Sequence, residues 1–261
     1  MRIEKNISEI YRIIVALAAS SAWPEAGDKI LDFGCGSGNL VCEFRNRGFE
    51  AYGFDIKCYL SEEAKANQSW FIFKDPNEAN HVDFVIGEDF SLPYSDNTFD
   101  IVISCTTIEH VSDLKSVARE LARITKKDGV NLHIFPPRRS LVDGHIFVPF
   151  ATYRQFQNYP WFLLMAVLGI RNNYQKGFTA HETAIANLNY CKTGLFFRSD
   201  REVQQTFADF FREVEYKDRQ LYACDVNEYS IIKSYLRALI SKNKLERLSL
   251  APRVKTLFAV K

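Results

Sequence analysis

Three glycines stand within five positions directly behind an apolar run. Residues 29–40 read KILDFGCGSGNL and contain Gly34, Gly36 and Gly38. Bare backbone at the end of a strand lets a ligand approach closely, because no Cβ atom stands in its way. The acidic residue Asp32 lies two positions before Gly34 and would oppose a pyrophosphate group. The pattern therefore favours a nucleoside ligand that carries positive charge.

A dinucleotide is the rival ligand for such a loop. The G-x-G-x-x-G pattern needs its third glycine at position 39, where this chain has Asn39. Asp55 ends the next apolar segment, and a carboxylate there can accept both hydroxyls of a ribose, which either ligand carries. Further along, Asp89 can accept from an adenine amino group and Phe90 can cover the ring. These two residues favour an adenosine ligand.

The elements that must position these residues alternate between strands and helices. The sequence predicts strands at 29–36, 50–56, 82–90, 98–105, 130–137, 212–223 and 253–261. It predicts a helix near the N terminus, a helix at 39–48 with Gly48 as its C-cap and a helix that starts with Ser61 as its N-cap. Further helices are predicted at 113–129, 199–211 and 227–243. This alternation is typical of α/β proteins and predicts a Rossmann-like, doubly wound, seven-stranded, mostly parallel sheet. Residues 138–198 interrupt the alternation as an insertion after the fifth strand.

The glycine loop and the later segments together resemble class I S-adenosylmethionine-dependent methyltransferases. The segments are ILDFGCGSG, GFDI and GEDFSLPYSDNTFDIVISCTTIEHVSD, followed by a closing strand with an antiparallel character. The resemblance covers residues 28–137 in sequence and 199–261 in topology only. It implies S-adenosylmethionine as cofactor, and methyl transfer as the reaction.

The resemblance also implies a set of cofactor-binding residues. Gly34 and Gly36 would line the methionine part, with Asp32 near its amino group. Asp55 would hold the ribose. The complete set is Asp32, Gly34, Cys35, Gly36, Gly38, Asp55, Ile56, Asp89, Phe90 and Cys105. Two alternatives stay open at this point, namely core packing for Ile56 and Cys105 and a solvated strand end for the two aspartates.

Candidate catalytic residues should follow the fourth or fifth strand, where substrates meet the carboxyl edge of the sheet. Histidine is the commonest general base for a hydroxyl nucleophile. His145 is the first candidate and His110 the second, although His110 could instead orient its loop and His145 could bond to Asp143 or the backbone. His133 lies inside a predicted strand and is interpreted as structural. A metal site built from His133, Asp143 and His145 lacks ligand-type spacing, so none is predicted.

The insertion should contact the substrate. Candidate substrate residues are Arg138 and Arg139, which could bind an anionic group, and His181. Solvated loop charges are the alternative for the two arginines. The insertion is also rich in aromatic residues, which form either a lid over the substrate or a satellite core. With a helical cap at 1–28, we interpret residues 1–261 as a single domain.

Composition limits the partners and the compartment. The chain has 33 Lys and Arg against 32 Asp and Glu, so nothing favours a polyanion such as nucleic acid. The six cysteines are irregularly spaced and the longest apolar run is too short to span a bilayer, which predicts a cytoplasmic protein.

We expect the substrate to be a small molecule, methylated at a hydroxyl group of a sugar, glycan or lipid precursor. Protein or RNA methylation and a non-catalytic binding role are the alternatives, and the oligomeric state stays open.

Overall fold

Seven strands form one sheet in the part of the chain that the structure describes. The computed structural model describes residues 24–75, 90–138, 140–217 and 255–261, without the side chains of residues 74 and 75. The strands are β1 Lys29–Phe33, β2 Glu50–Lys57, β3 Phe71–Asp75, β4 Phe99–Cys105, β5 Thr125–Phe135, β6 Glu213–Tyr216 and β7 Lys255–Val260. Their order in the sheet is β3-β2-β1-β4-β5-β7-β6.

The sheet is parallel from β3 to β5, whereas β7 runs antiparallel to both β5 and β6. The predicted Rossmann-like fold class is therefore confirmed. The strand order reverses between β1 and β4, and in open α/β sheets this reversal opens a crevice at the carboxyl ends of the strands. The glycine loop follows β1 directly and thus lies at this crevice.

Six α-helices connect or extend the strands in the described ranges. They are α1 Asn39–Asn46, α2 Glu62–Lys65, α3 Leu114–Ile124, α4 Tyr159–Val167, α5 Ala180–Asn189 and α6 Asp200–Ala208. Two local signals are confirmed. Gly48 follows α1 with a φ of +89°, which suits the left-handed end of a helix. Ser61 caps α2, because its hydroxyl accepts from the backbone N–H of Ala64 at 3.3 Å.

Several elements differ from the sequence prediction. The strand paired with β2 is β3, which the sequence pattern did not predict, while the predicted strand at 82–90 falls mostly outside the described residues. The helix predicted to reach residue 129 ends at Ile124. The hydroxyl of Thr125 donates to the carbonyl of Leu121 at 2.6 Å, and Thr125 then pairs with Phe99 as the start of β5. The predicted helices at the N terminus and at 227–243 lie outside the described residues, apart from residues 24–28.

The core has one apolar cluster on each side of the sheet and a third inside the insertion. In the third cluster, α4 packs against α5 and buries Phe162, Met165 and Ala166. The rings of Phe156 and Trp161 lie 5.1 Å apart beside it. These contacts favour the satellite core over an aromatic lid. Among the described residues, no helix has both the length and the apolar character to cross a membrane.

Candidate active site

The glycine loop leaves β1 through three left-handed residues. Gly34, Gly36 and Gly38 have φ values of +81°, +51° and +74°. The backbone N–H of Gly34 donates to the carbonyl of Phe54 at 2.7 Å, and this hydrogen bond connects the loop to β2. A Cβ atom at Gly34 would overlap the side chain of Thr107, whereas one at Gly36 would meet no atom within 4 Å. The backbone of Gly36 therefore borders open space in the crevice.

Asp55 ties the end of β2 to this loop. Its Oδ2 accepts from the backbone N–H of Gly36 at 2.8 Å, and its Oδ1 accepts from Ile56 at 2.7 Å and Lys57 at 3.3 Å. Burial raises the pKa of the Asp55 carboxyl, and the three backbone donors oppose that rise. Because a carboxylate has about four acceptor positions, Asp55 keeps capacity for a ligand hydroxyl.

Asp32 lies beside the loop at the end of β1. It is buried, with 6% exposed, and pairs across the sheet with Gly53 on β2 and Ile103 on β4. Asp32 thus lies in the centre of the sheet at its carboxyl edge, which excludes the alternative of a solvated strand end. Asp55 is half-buried, and its carboxylate accepts from three backbone N–H groups, which argues against the same alternative for this residue.

Other predicted cofactor residues pack or form hydrogen bonds within the glycine loop and at its edge. Cys35 is buried, and burial raises the pKa of its thiol. Gly38 donates to the carbonyl of Cys35 at 2.8 Å, and a Cβ atom on Gly38 would press on the Phe71 ring. The backbone carbonyl of Cys105, after β4, accepts from the Thr107 hydroxyl at 3.2 Å. We find packing roles for Cys35 and Gly38, while Ile56 and Cys105 are half-buried at the edge.

Phe90 lies in the core beside the ends of β1 and β2. Its ring is buried and packs edge-on against Phe33 at 6.2 Å and Phe54 at 6.0 Å. These contacts show a packing role for the ring, and its contact with a ligand stays a prediction. Asp89 and Arg139 lie outside the described residues, and Arg138 is exposed.

The structure brings the two predicted catalytic histidines together. The rings of His110 and His145 lie 4.9 Å apart, in an edge-to-face arrangement. His110 belongs to a 3₁₀ turn, Ile108–His110, that follows β4, and His145 belongs to a turn in the insertion. His181 makes a different contact, because its Nδ1 lies 2.8 Å from the hydroxyl of Tyr159 on the exposed side of the insertion. His181 is thus not part of the histidine pair.

Glu109 lies beside both histidines and was not predicted from the sequence as a site residue. It is buried, with 4% exposed. Its Oε1 lies 4.0 Å from Nε2 of His110 and 3.7 Å from Nε2 of His145. The segment IEHV could have indicated Glu109 as a site residue, since it places a carboxylate beside a candidate base. The insertion contacts this residue, because the backbone N–H of Phe196 donates to the Glu109 carbonyl at 2.7 Å.

Burial sets the charge state of His110. Desolvation lowers the pKa of His110 to about 4, despite an opposing hydrogen bond to Gly194. The ring is therefore neutral near pH 7. Its Nδ1 lies 2.6 Å from the Gly194 carbonyl, which can only accept, so Nδ1 carries the proton and Nε2 has a lone pair.

Comparisons with known proteins identify the region around the crevice. Residues 31–132 match the family model described as a methyltransferase domain. The chain is 30% identical over 115 residues to the uncharacterized methyltransferase YcgJ of Bacillus subtilis, which covers 44% of this chain and 43% of that protein. It is 35% identical over 96 residues to norajmaline N-methyltransferase of Rauvolfia serpentina, covering 36% and 31%. The matches thus span less than half the length of these relatives.

A solved structure agrees on the fold over a longer stretch. A SAM-dependent methyltransferase from Archaeoglobus fulgidus superposes with a TM-score of 0.50 at 13% identity. The superposition covers 97% of this chain and 94% of that one. At this identity the likeness concerns the fold alone.

Proposed function

We propose that residues 31–132 of this chain form a class I S-adenosylmethionine-dependent methyltransferase domain and that the protein methylates a hydroxyl group of a small molecule. A sugar, glycan or lipid precursor is the acceptor class we favour. The observation that carries the proposal is the position of the histidine pair. Thr107 faces Gly34 of the glycine loop, and His110 lies only three residues further along the same turn.

The residues of the crevice fit the cofactor of this family. When bound, S-adenosylmethionine supplies a methyl group on a positively charged sulfur. The open backbone at Gly36 admits a ligand, and the Asp55 carboxylate beside it can accept ribose hydroxyls. The buried Asp32 brings negative charge to the same edge, which suits the ammonium and sulfonium charges. We propose Asp32, Gly34, Gly36 and Asp55 as the principal cofactor residues, with Ile56 and Cys105 at the edge.

On the acceptor side, we propose that His145 acts as general base with His110 beside it. The acceptor hydroxyl would give its proton to Nε2 of His145 while its oxygen forms the bond to the methyl carbon. The electron pair of the broken carbon–sulfur bond stays on sulfur. Asp143 supports this role, because its Oδ1 lies 3.6 Å from Nδ1 of His145 and favours the proton on that nitrogen.

A small acceptor is favoured by the insertion. The carbonyl of Gly194 contacts His110, and Phe196 binds the backbone of Glu109, so the insertion packs directly onto the catalytic turn. Such a cover leaves less room for a folded macromolecule. The nearly balanced charge also gives no support to an RNA substrate. Five cysteines of the described ranges are free thiols, which supports our proposal of a reducing compartment such as the cytoplasm.

Turnover against a panel of hydroxyl acceptors tests the proposal. Methylation adds about 14 daltons to the acceptor, so mass detection identifies both the acceptor and the reaction. Sugars, glycan precursors and lipid precursors form the first panel, while peptides and RNA form the second. Methylation confined to the second panel would refute the small-molecule proposal. Cofactor binding without turnover on either panel would favour the non-catalytic alternative.

A further inference from the structure

Three electron-pair donors converge beside the glycine loop. We propose that Glu109, His110 and His145 bind a divalent first-row transition metal ion such as Zn²⁺. One ligand atom from each of the three residues lies within 4.8 Å of the other two. Two imidazoles and one carboxylate also make a ligand set used by zinc enzymes that keep an open position for water or substrate.

An oxygen acceptor lies near the Nδ1 atom of each imidazole. Nδ1 of His110 donates to the Gly194 carbonyl at 2.6 Å, and Nδ1 of His145 lies 3.6 Å from the Asp143 carboxylate. Acceptors at both Nδ1 atoms favour the tautomers whose lone pairs are on Nε2. Both Nε2 atoms face Oε1 of Glu109, at 4.0 and 3.7 Å. Carbonyl and carboxylate partners behind histidines are the usual outer contacts of metal-binding imidazoles.

The distances suit an ion after a small contraction. Zinc bonds of about 2.0–2.1 Å to nitrogen and 2.0–2.2 Å to oxygen separate tetrahedral ligand atoms by roughly 3.4 Å. The two nitrogen–oxygen separations of 3.7 and 4.0 Å exceed this value by several tenths of an ångström, and the three ligand atoms all lie within 4.8 Å of one another. Imidazole nitrogens select zinc, iron, cobalt or nickel over magnesium, which prefers oxygen ligands.

The location gives the ion a role in the proposed reaction. The Glu109–His110 pair follows Thr107, whose side chain packs on Gly34 of the glycine loop. This role rests on the proposed function: the ion would hold the acceptor hydroxyl and lower its pKa, so that its proton passes to solvent. The two histidines would then act as ligands, and the ion would replace His145 as the means of activating the hydroxyl.

Metal binding is measurable without any acceptor. The experiment is calorimetric titration of the full chain with Zn²⁺, and separately with Mg²⁺, in the presence of a reductant. A Cys58→Ser background removes an exposed thiol that could capture zinc. We expect one Zn²⁺ per chain and no Mg²⁺ binding. Glu109→Gln and His145→Gln should each weaken Zn²⁺ binding at least tenfold, whereas the control His181→Ala should leave it unchanged.

A second readout protects the test against folding defects. Co²⁺ bound at the site should give visible absorption bands that Glu109→Gln abolishes, while circular dichroism checks that each variant is folded. Absence of Zn²⁺ binding, or binding that survives both substitutions in folded protein, would overturn the inference. Full methylation by the metal-free protein would overturn the role while leaving the proposed function intact. Zn²⁺ binding without methylation of any acceptor would leave the site but refute the function.

Discussion

The carboxylate of Asp55 and the backbone N–H of Gly36 meet at 2.8 Å across the carboxyl edge of the sheet. This bond holds the glycine loop in the conformation that leaves Gly36 bordering open space. The same carboxylate also accepts from two N–H groups of its own strand. One side chain thus organises the loop and remains available to a ligand, which makes the pair a sensitive place to test cofactor binding.

Gly36→Ala should weaken cofactor binding, although the added methyl group would not clash with any protein atom. Gly36 and Gly48 both have positive φ, and a Cβ atom at either position would meet no protein atom within 4 Å. Each alanine should therefore destabilise the fold by a similar amount, about 1–2 kcal/mol from left-handed strain. Only Gly36→Ala should weaken binding of S-adenosylhomocysteine, by at least tenfold in calorimetry, because only its methyl group enters the crevice. Equal affinities for the two variants would mean that the ligand does not approach Gly36.

Asp55→Asn should also weaken cofactor binding. One of the two oxygens becomes an NH₂ group, which cannot accept from the backbone donors at Gly36 or Ile56. The matched control is Asp28→Asn, since Asp28 also accepts a backbone N–H, from Glu25 at 2.8 Å, but in an exposed turn. We expect at least a tenfold loss of affinity for S-adenosylhomocysteine in the first variant and none in the second. An unchanged affinity in Asp55→Asn would remove Asp55 from the binding site.

His145→Ala should slow methyl transfer while leaving cofactor affinity unchanged. His145 serves as the general base or, with the proposed ion bound, as one of its ligands, and its loss should lower kcat by about 10²–10⁴-fold once an acceptor is known. The affinity for S-adenosylhomocysteine serves as the internal control, because no proposed cofactor residue is altered. His110→Ala should give a loss of the same kind. Full rates in both variants at limiting acceptor would refute a role for either histidine.

His133 should make the protein less stable in acid. It is completely buried on β5, its Nδ1 lies 2.8 Å from the Ser104 hydroxyl, and burial lowers its pKa to about 3. The unfolded chain binds a proton at this histidine below about pH 6.5, whereas the folded chain does not. The free energy of unfolding should therefore decrease as the pH falls from 6.5 toward 3, by up to about 1.4 kcal/mol per pH unit for this residue.

Denaturant unfolding between pH 7 and 5 measures this slope. His133→Asn should reduce it without abolishing it, because the lowered pKa of His110 contributes with the same sign. A wild-type stability that rises on acidification over this range would contradict the assignment of a neutral, buried His133.

Local sequence signals predicted much of the framework. The apolar run followed by glycines marked β1 and its loop, and Ser61 and Gly48 marked helix ends, because these features depend on residues only a few positions apart. β3 escaped detection because a five-residue strand with two charged residues gives a weak signal. The end of α3 was also misjudged, since Thr125 closes the helix through a single side-chain bond.

The site was less accessible to sequence reasoning than the fold. His110 and His145 were proposed separately, yet their proximity depends on how the insertion folds back on the turn after β4. Glu109 was not singled out from the sequence, and its position beside the two histidines depends on contacts with the insertion, such as the bond from Phe196. The placement of Phe90 was equally non-local, because its neighbours Phe33 and Phe54 come from two other strands.

We expect the crevice above β1 and β2 to bind a sulfonium nucleoside rather than a dinucleotide. Parallel calorimetric titrations with S-adenosylhomocysteine and with NAD⁺ distinguish these two ligands. We expect saturable one-to-one binding of S-adenosylhomocysteine and no heat of binding from NAD⁺. Saturable NAD⁺ binding with no response to S-adenosylhomocysteine would mean that the crevice binds a dinucleotide instead.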